Sequence, residues 1–157
     1  MKKLALIIAT LIMGSTIMAT AADKNSIHYT KGYAADVQLT ATNVNMFHIT
    51  SSHGWSFGNG LYLGGGAGFG AEWQGAVEGT PHYVPSLFLN ARWTIINNRI
   101  APFVDVKATQ YIDLGAAATD YGLTPTVGLD FGRFSLGVGY LMREEKSSMQ
   151  VSVSFNF

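Results

Sequence analysis

The residues best suited to chemistry lie close together: His48, Ser51, Ser52 and His53. A serine hydroxyl beside an imidazole can act as an activated nucleophile in acyl transfer. His82, with Glu78 just before it, is a second place where an imidazole meets a carboxylate. The glycines at 64, 66, 68 and 70 invite comparison with phosphate-cradling loops, but such loops lead into a helix N-terminus. Here they alternate with Leu63, Ala67 and Phe69, and no helical pattern follows. The chain has no cysteine, which excludes thiolate chemistry and cysteine-ligated metal. His48, His53 and His82 show no metal-ligand spacing, so neither metal nor cofactor is expected.

Whether these groups meet depends on the elements that carry them. The clearest element is the last stretch, Met149 to Phe157. Met149, Val151, Val153, Phe155 and Phe157 form one face, and Gln150, Ser152, Ser154 and Asn156 the other. Strands turn successive side chains to opposite faces. An apolar face beside a small polar face is the pattern of a barrel strand between lipid and lumen. The same alternation runs through Lys31–Ala41, Asn45–His53 (where it is weakest), Leu61–Trp73, His82–Ile95, Arg99–Ile112, Tyr121–Phe131 and Phe134–Arg143. Turns or loops are predicted at Gly54–Gly60, Gln74–Pro81, Asn97-Asn98, Asp113–Asp120, Gly132-Arg133 and Glu144–Ser148. The reading is all-β: an eight-stranded antiparallel up-and-down transmembrane β-barrel. Pro85 and Pro125 resist it, because proline removes a ladder donor, and they are expected near rims or bulges.

Phase then sorts the candidates. His48 and Ser52 fall on the lumen face, and Ser51 and His53 on the outer face. The inward set also contains Asp36, Glu72, Asn90, Arg92, Asp105, Lys107, Asp130 and Arg143. An eight-stranded barrel has an interior just wide enough for side chains to fill. Acids and bases there are expected to pair as a polar network, since unpaired buried charge is costly. The glycine row reads as lumen space for large inward groups such as Tyr62, Phe88 or Arg92.

Residues 1–21 read as a secretory signal: Lys2 and Lys3, an apolar run from Leu4 to Met18, and an A-x-A site at Ala19 and Ala21, with Ala22 as the alternative cut. Residues 22–157 form the barrel domain. Losing Lys2 and Lys3 leaves eight bases against ten acids, so no basic footprint for nucleic acid remains. The expected location is the cell outer membrane. Eight strands put both termini and the tight turns on the periplasmic side and the longer breaks outside.

Several stretches resemble those of small outer-membrane β-barrel proteins of Bacteroidetes: Lys31-Gly32-Tyr33, Ser51-Ser52-His53-Gly54-Trp55, Gly64-Gly65-Gly66-Ala67-Gly68, Ala101-Pro102-Phe103-Val104-Asp105-Val106-Lys107 and Gly137-Val138-Gly139-Tyr140. The plan is similar to barrels of the OmpA/OmpX type. The resemblance implies architecture and no particular activity. Its partners would be outer-membrane lipid and the outer-membrane assembly machinery, for which Val151, Val153, Phe155 and Phe157 resemble the recognition signal. Lipid A deacylases, also barrels, carry His and Ser on a lipid-facing strand with a carboxylate. Here the outward order is Ser-x-His, with no outward carboxylate. The expectation is therefore a structural or surface-interaction role without catalysis. The alternatives are a lipid A-modifying enzyme (deacylase or acyltransferase) or a narrow, porin-like pore.

Overall fold

The computed structural model describes residues 28–43, 46–73, 81–114, 118–144 and 147–157. The leader at 1–21, Glu78 and the centres of the longer loops lie outside the described residues. Eight strands follow one another: β1 (Lys31–Thr42), β2 (Met46–Phe57), β3 (Leu61–Glu72), β4 (His82–Thr94), β5 (Ile100–Asp113), β6 (Ala118–Phe131), β7 (Phe134–Arg143) and β8 (Ser147–Asn156). Each pairs antiparallel with its neighbour, and β8 returns to β1 with Asp36 opposite Asn156 and Leu39 opposite Val153. The barrel is closed, so no ladder edge is left along its wall.

Alternation sets the two surfaces. In β7 up to Met142 and in β8 up to Ser154, exposed and buried residues alternate without a break. Leu89 is 70% exposed on the outer wall, whereas Ser52 is 0% exposed inside. This inverts a water-soluble protein, in which large apolar groups are the buried ones.

Three boundaries differ from those read in the sequence. Gly54 does not end β2, which continues to Phe57. A Cβ at Gly54 would press on the Leu63 carbonyl and on Gly64, so the glycine admits a close approach of β2 and β3. The 113–120 loop is shorter than expected, because β5 runs to Asp113 and β6 starts at Ala118. Thr119 and Asp120 pair with Ile112 and Tyr111, so a run of small residues does not stop the ladder. β8 begins at Ser147, inside the stretch predicted to be loop.

The prolines divide. Pairing between β4 and β5 stops at Ser86, so Pro85 stands where that ladder has ended. Pro125 does not lie at a rim or a bulge. It sits within β6, where pairing with β7 skips Thr124 and Pro125 and resumes in unchanged register at Thr126 opposite Gly139. A closed register supplied by the flanking residues tolerates the missing donor. Gly132, at φ +67°, supplies the left-handed conformation of the Gly132-Arg133 turn, which brings Phe131 opposite Phe134.

Connections alternate between ends. The turns at 58–60, 95–99 and 132–133 define a short-turn end, and the other connections a loop end.

Candidate functional site

The lumen is the candidate site, and its residues form layers along the axis. Nearest the short-turn end, Arg92 is ion-paired to Asp130 and lies with its guanidinium 3.7 Å above the Phe103 ring. Ser135 Oγ donates to Asp130 at 2.5 Å and accepts from Arg92 at 3.0 Å and from Asn156 Nδ2 at 2.8 Å. Thr94 Oγ1 donates to the other Asp130 oxygen at 3.2 Å. The carboxylate is thus held by a base and two hydroxyls, as a buried charge requires.

The middle layer crosses the bore. Tyr62 is hydrogen-bonded to Ser52 at 2.7 Å, and Ser52 donates onward to Asn90 Oδ1 at 2.9 Å. Asn90 Nδ2 donates to Asp105 at 3.2 Å. Lys107 bonds Gln38 and sits 4.9 Å from the Phe88 ring centre. Gly64 and Gly66 make this layer possible, because a Cβ at either would run into the rings of Tyr62 and Phe88. Of the three large groups expected over the glycine row, Tyr62 and Phe88 lie there. Arg92 instead stacks on Phe103, and a Cβ at Gly128 would meet that ring.

Toward the loop end, His48 Nε2 is 2.9 Å from Ser86 Oγ, with its ring beside Tyr111. Arg143 bonds Asp120 and lies 3.4 Å from Glu72, over the Tyr111 ring. His82 Nδ1 is 3.7 Å from Asp113. Met46, Val84, Tyr111 and Leu141 form a buried apolar cluster at this level. The sequence reading did not single out that cluster, nor Ser86, Asp120, Ser135 and Asn156 as network partners. Seven of these eight were open to the same inward phase, while Asp120 fell in the stretch read as loop; small hydroxyls and scattered apolar residues do not announce a shared layer.

Asp36, His48, Glu72, Asn90, Asp105, Lys107 and Asp130 are buried, and Arg92 and Arg143 are nearly so. Val151 and Val153 face outward and are exposed. Phe155 meets Phe134 edge-on at 5.0 Å and Phe157 at 4.9 Å, so the terminal rings pack as a row on the outer wall.

Two voids interrupt the lumen among the described residues. One, of about 190 Å³, opens at the short-turn end and includes Asp36, Tyr62, Arg92 and Asp130 in its lining. The other, of about 20 Å³, lies near His48, Lys107 and Tyr111. The middle layer separates them.

Within its apolar field the outer wall holds a polar constellation of three side chains. His53 Nε2 is 3.0 Å from Ser51 Oγ, and its Nδ1 is 2.5 Å from the Tyr33 hydroxyl. This is the order nucleophile, base, orienting group that acyl transfer uses, with a phenol where a carboxylate often stands. Ser51 is only 5% exposed. Its strand is laddered on both sides, to Val37 and to Ala67, which commits the nearby backbone donors that an oxyanion would need. The three side chains satisfy one another on a surface where unpaired polar groups are costly.

No family model and no curated protein matches the chain. Among solved structures, the de novo designed TMB2.3, studied by solution NMR, is similar at TM-score 0.50 and 12% identity, over 85% of this chain and 97% of that one. The crystal structure of the outer membrane enzyme PagL is similar at TM-score 0.50 and 17% identity, over 78% of this chain and 98% of that one. At such identities the likeness is one of fold: a closed eight-stranded antiparallel barrel of the outer-membrane type.

Proposed function

We propose that this chain is an integral protein of the bacterial outer membrane, built on the OmpA/OmpX-type plan, whose filled lumen suits a structural or surface-interaction role rather than transport. The observation that carries this reading is the side-chain layer from Tyr62 through Ser52 and Asn90 to Asp105, with Lys107 and Gln38 beside it, backed by the Met46, Val84, Tyr111 and Leu141 cluster. A solute would have to break those bonds and displace an apolar plug. In this orientation the short-turn end faces the periplasm, and Val151, Val153, Phe155 and Phe157 serve the assembly machinery before they meet lipid. The test is electrical. Purified barrel in planar bilayers should give no steady conductance, and salt-dependent single-channel steps altered by Arg92→Ala would overturn the reading.

The Ser51–His53–Tyr33 arrangement favours a second reading, cleavage of lipid acyl esters at the outer wall. It is separable from the first. If it holds, expressing the protein should change the acyl masses of outer-membrane lipids, and Ser51→Ala should abolish the change. On the structural reading the lipid spectra of wild type, variant and deletion coincide.

A further inference from the structure

The void at the short-turn end contains an acid that the lumen network does not use. Asp36 is 9% exposed and lines the 190 Å³ cavity. Among the described residues its carboxylate has no hydrogen bond or ion pair. Its neighbours' charges are already engaged. Arg92 is bound by Asp130 and Ser135, and Lys107 by Gln38. Asp105 takes the amide of Asn90. Arg133 lines the same cavity from the Gly132-Arg133 turn at its mouth, and His28 lines it as well. A mostly buried carboxylate with no direct partner is stabilised by a cation at its side.

We propose that this cavity is a binding site for a protonated primary amine, with Asp36 as its counter-charge. Three observations fix the class of ligand. First, no group of three His, Cys, Asp or Glu able to hold a metal exists among the described residues, and Asp130, the other carboxylate lining the cavity, is already held by Arg92 and Ser135, so a divalent cation would find too few oxygens. Second, Ser56, Tyr62 and Thr94 also line the cavity, so hydroxyl oxygens able to accept share it with the acid. An ammonium group carries three N–H donors and no acceptor, so a carboxylate with several hydroxyls matches it. Third, the cavity shares no lining residue with the void nearer the loop end, and Tyr62, which lines it, is tied into the middle layer by its bond to Ser52. An aliphatic amine would enter head first from the short-turn end and stop at Asp36, leaving its tail at the mouth near Arg133.

The site makes no use of the relay on the outer wall, and it does not require that the lumen conduct. It concerns an occupant of the vestibule, not a path through the barrel.

The experiment is a titration of the full barrel, refolded in lipid nanodiscs, with butan-1-amine, followed by NMR shifts of the Ser56, Tyr62 and Thr94 amides. Saturable shifts confined to these positions are expected. Asp36→Asn should weaken the apparent affinity at least tenfold. Ser56→Leu, which fills the cavity without touching the acid, should abolish the shifts. Heat-dependent gel mobility checks that each variant is folded. Potassium ion and tetramethylammonium serve as further arms. Equal shifts with either of them would overturn the assignment to a primary amine, because neither donates a hydrogen bond. Absence of shifts in the wild type, or an unchanged titration in a folded Asp36→Asn or Ser56→Leu barrel, would overturn the site itself.

Discussion

At the scale of single residues, the barrel separates two costs that sequence alone cannot separate. Arg92 and Asp130 were both assigned to the lumen by phase, but nothing in a linear chain says that they pair across strands β4 and β6. Register decides it, and register follows from turns that join distant segments. Removing one partner leaves the other buried and charged. Arg92→Ala should cost about 3–5 kcal/mol of unfolding free energy, measured by urea titration in lipid vesicles. Replacing both members with apolar groups of similar size should cost much less. If Arg92→Ala and the double variant lose equal stability, the pairing described here is wrong. On the outer wall the cost has a different source. Leu89 faces outward from the body of β4, and Leu89→Arg should cost about 2–4 kcal/mol if that position lies near the bilayer centre. A loss under ~1 kcal/mol would place Leu89 at an interface or in water. The relay of Tyr33, Ser51 and His53 was half legible. The shared face of Ser51 and His53 follows from their spacing, whereas Tyr33 joins only because β1 lies beside β2.

At the scale of elements, alternation located all eight strands, and the errors came where local signals opposed long-range pairing. Gly54 reads as a turn residue, yet β1 and β3 hold it on both sides with Ala34 and Gly64 as partners. The alanine-rich stretch after Asp113 reads as loop, yet strand pairing extends into it from both ends. Pro125 reads as a rim or bulge residue, yet it interrupts one ladder in mid-strand without a change of register. A local weakness is the consequence. The amide of Tyr140, which faces Pro125 across the gap, should exchange with deuterium faster than those of Val127 and Val138, whose pairing is continuous. Uniform protection along β6 and β7 would mean that the ladder is closed after all. Gly54→Val tests the close approach from the other side. Its side chain would collide with the Leu63 carbonyl, so the variant should lose the compact gel mobility of the folded barrel. Retained mobility at wild-type temperatures would show that β2 and β3 can move apart cheaply.

At the scale of the whole molecule, polar groups fill the inside and apolar groups cover the outside. That arrangement is stable only if the outside meets hydrocarbon, because water would leave Leu89, Val127 and Val151 uncompensated. Lumen layers, vestibule and outer-wall relay all take their meaning from this inversion. The most direct test is lipid contact, read as NMR cross-peaks between acyl-chain methylenes and side-chain methyl groups of the labelled barrel in nanodiscs. Methyls of outward Leu136, Val138, Val151 and Val153 are predicted to show them, and those of inward Val84 and Leu141 are predicted to show none. Water cross-peaks at the first set, with acyl contacts absent, would contradict the account.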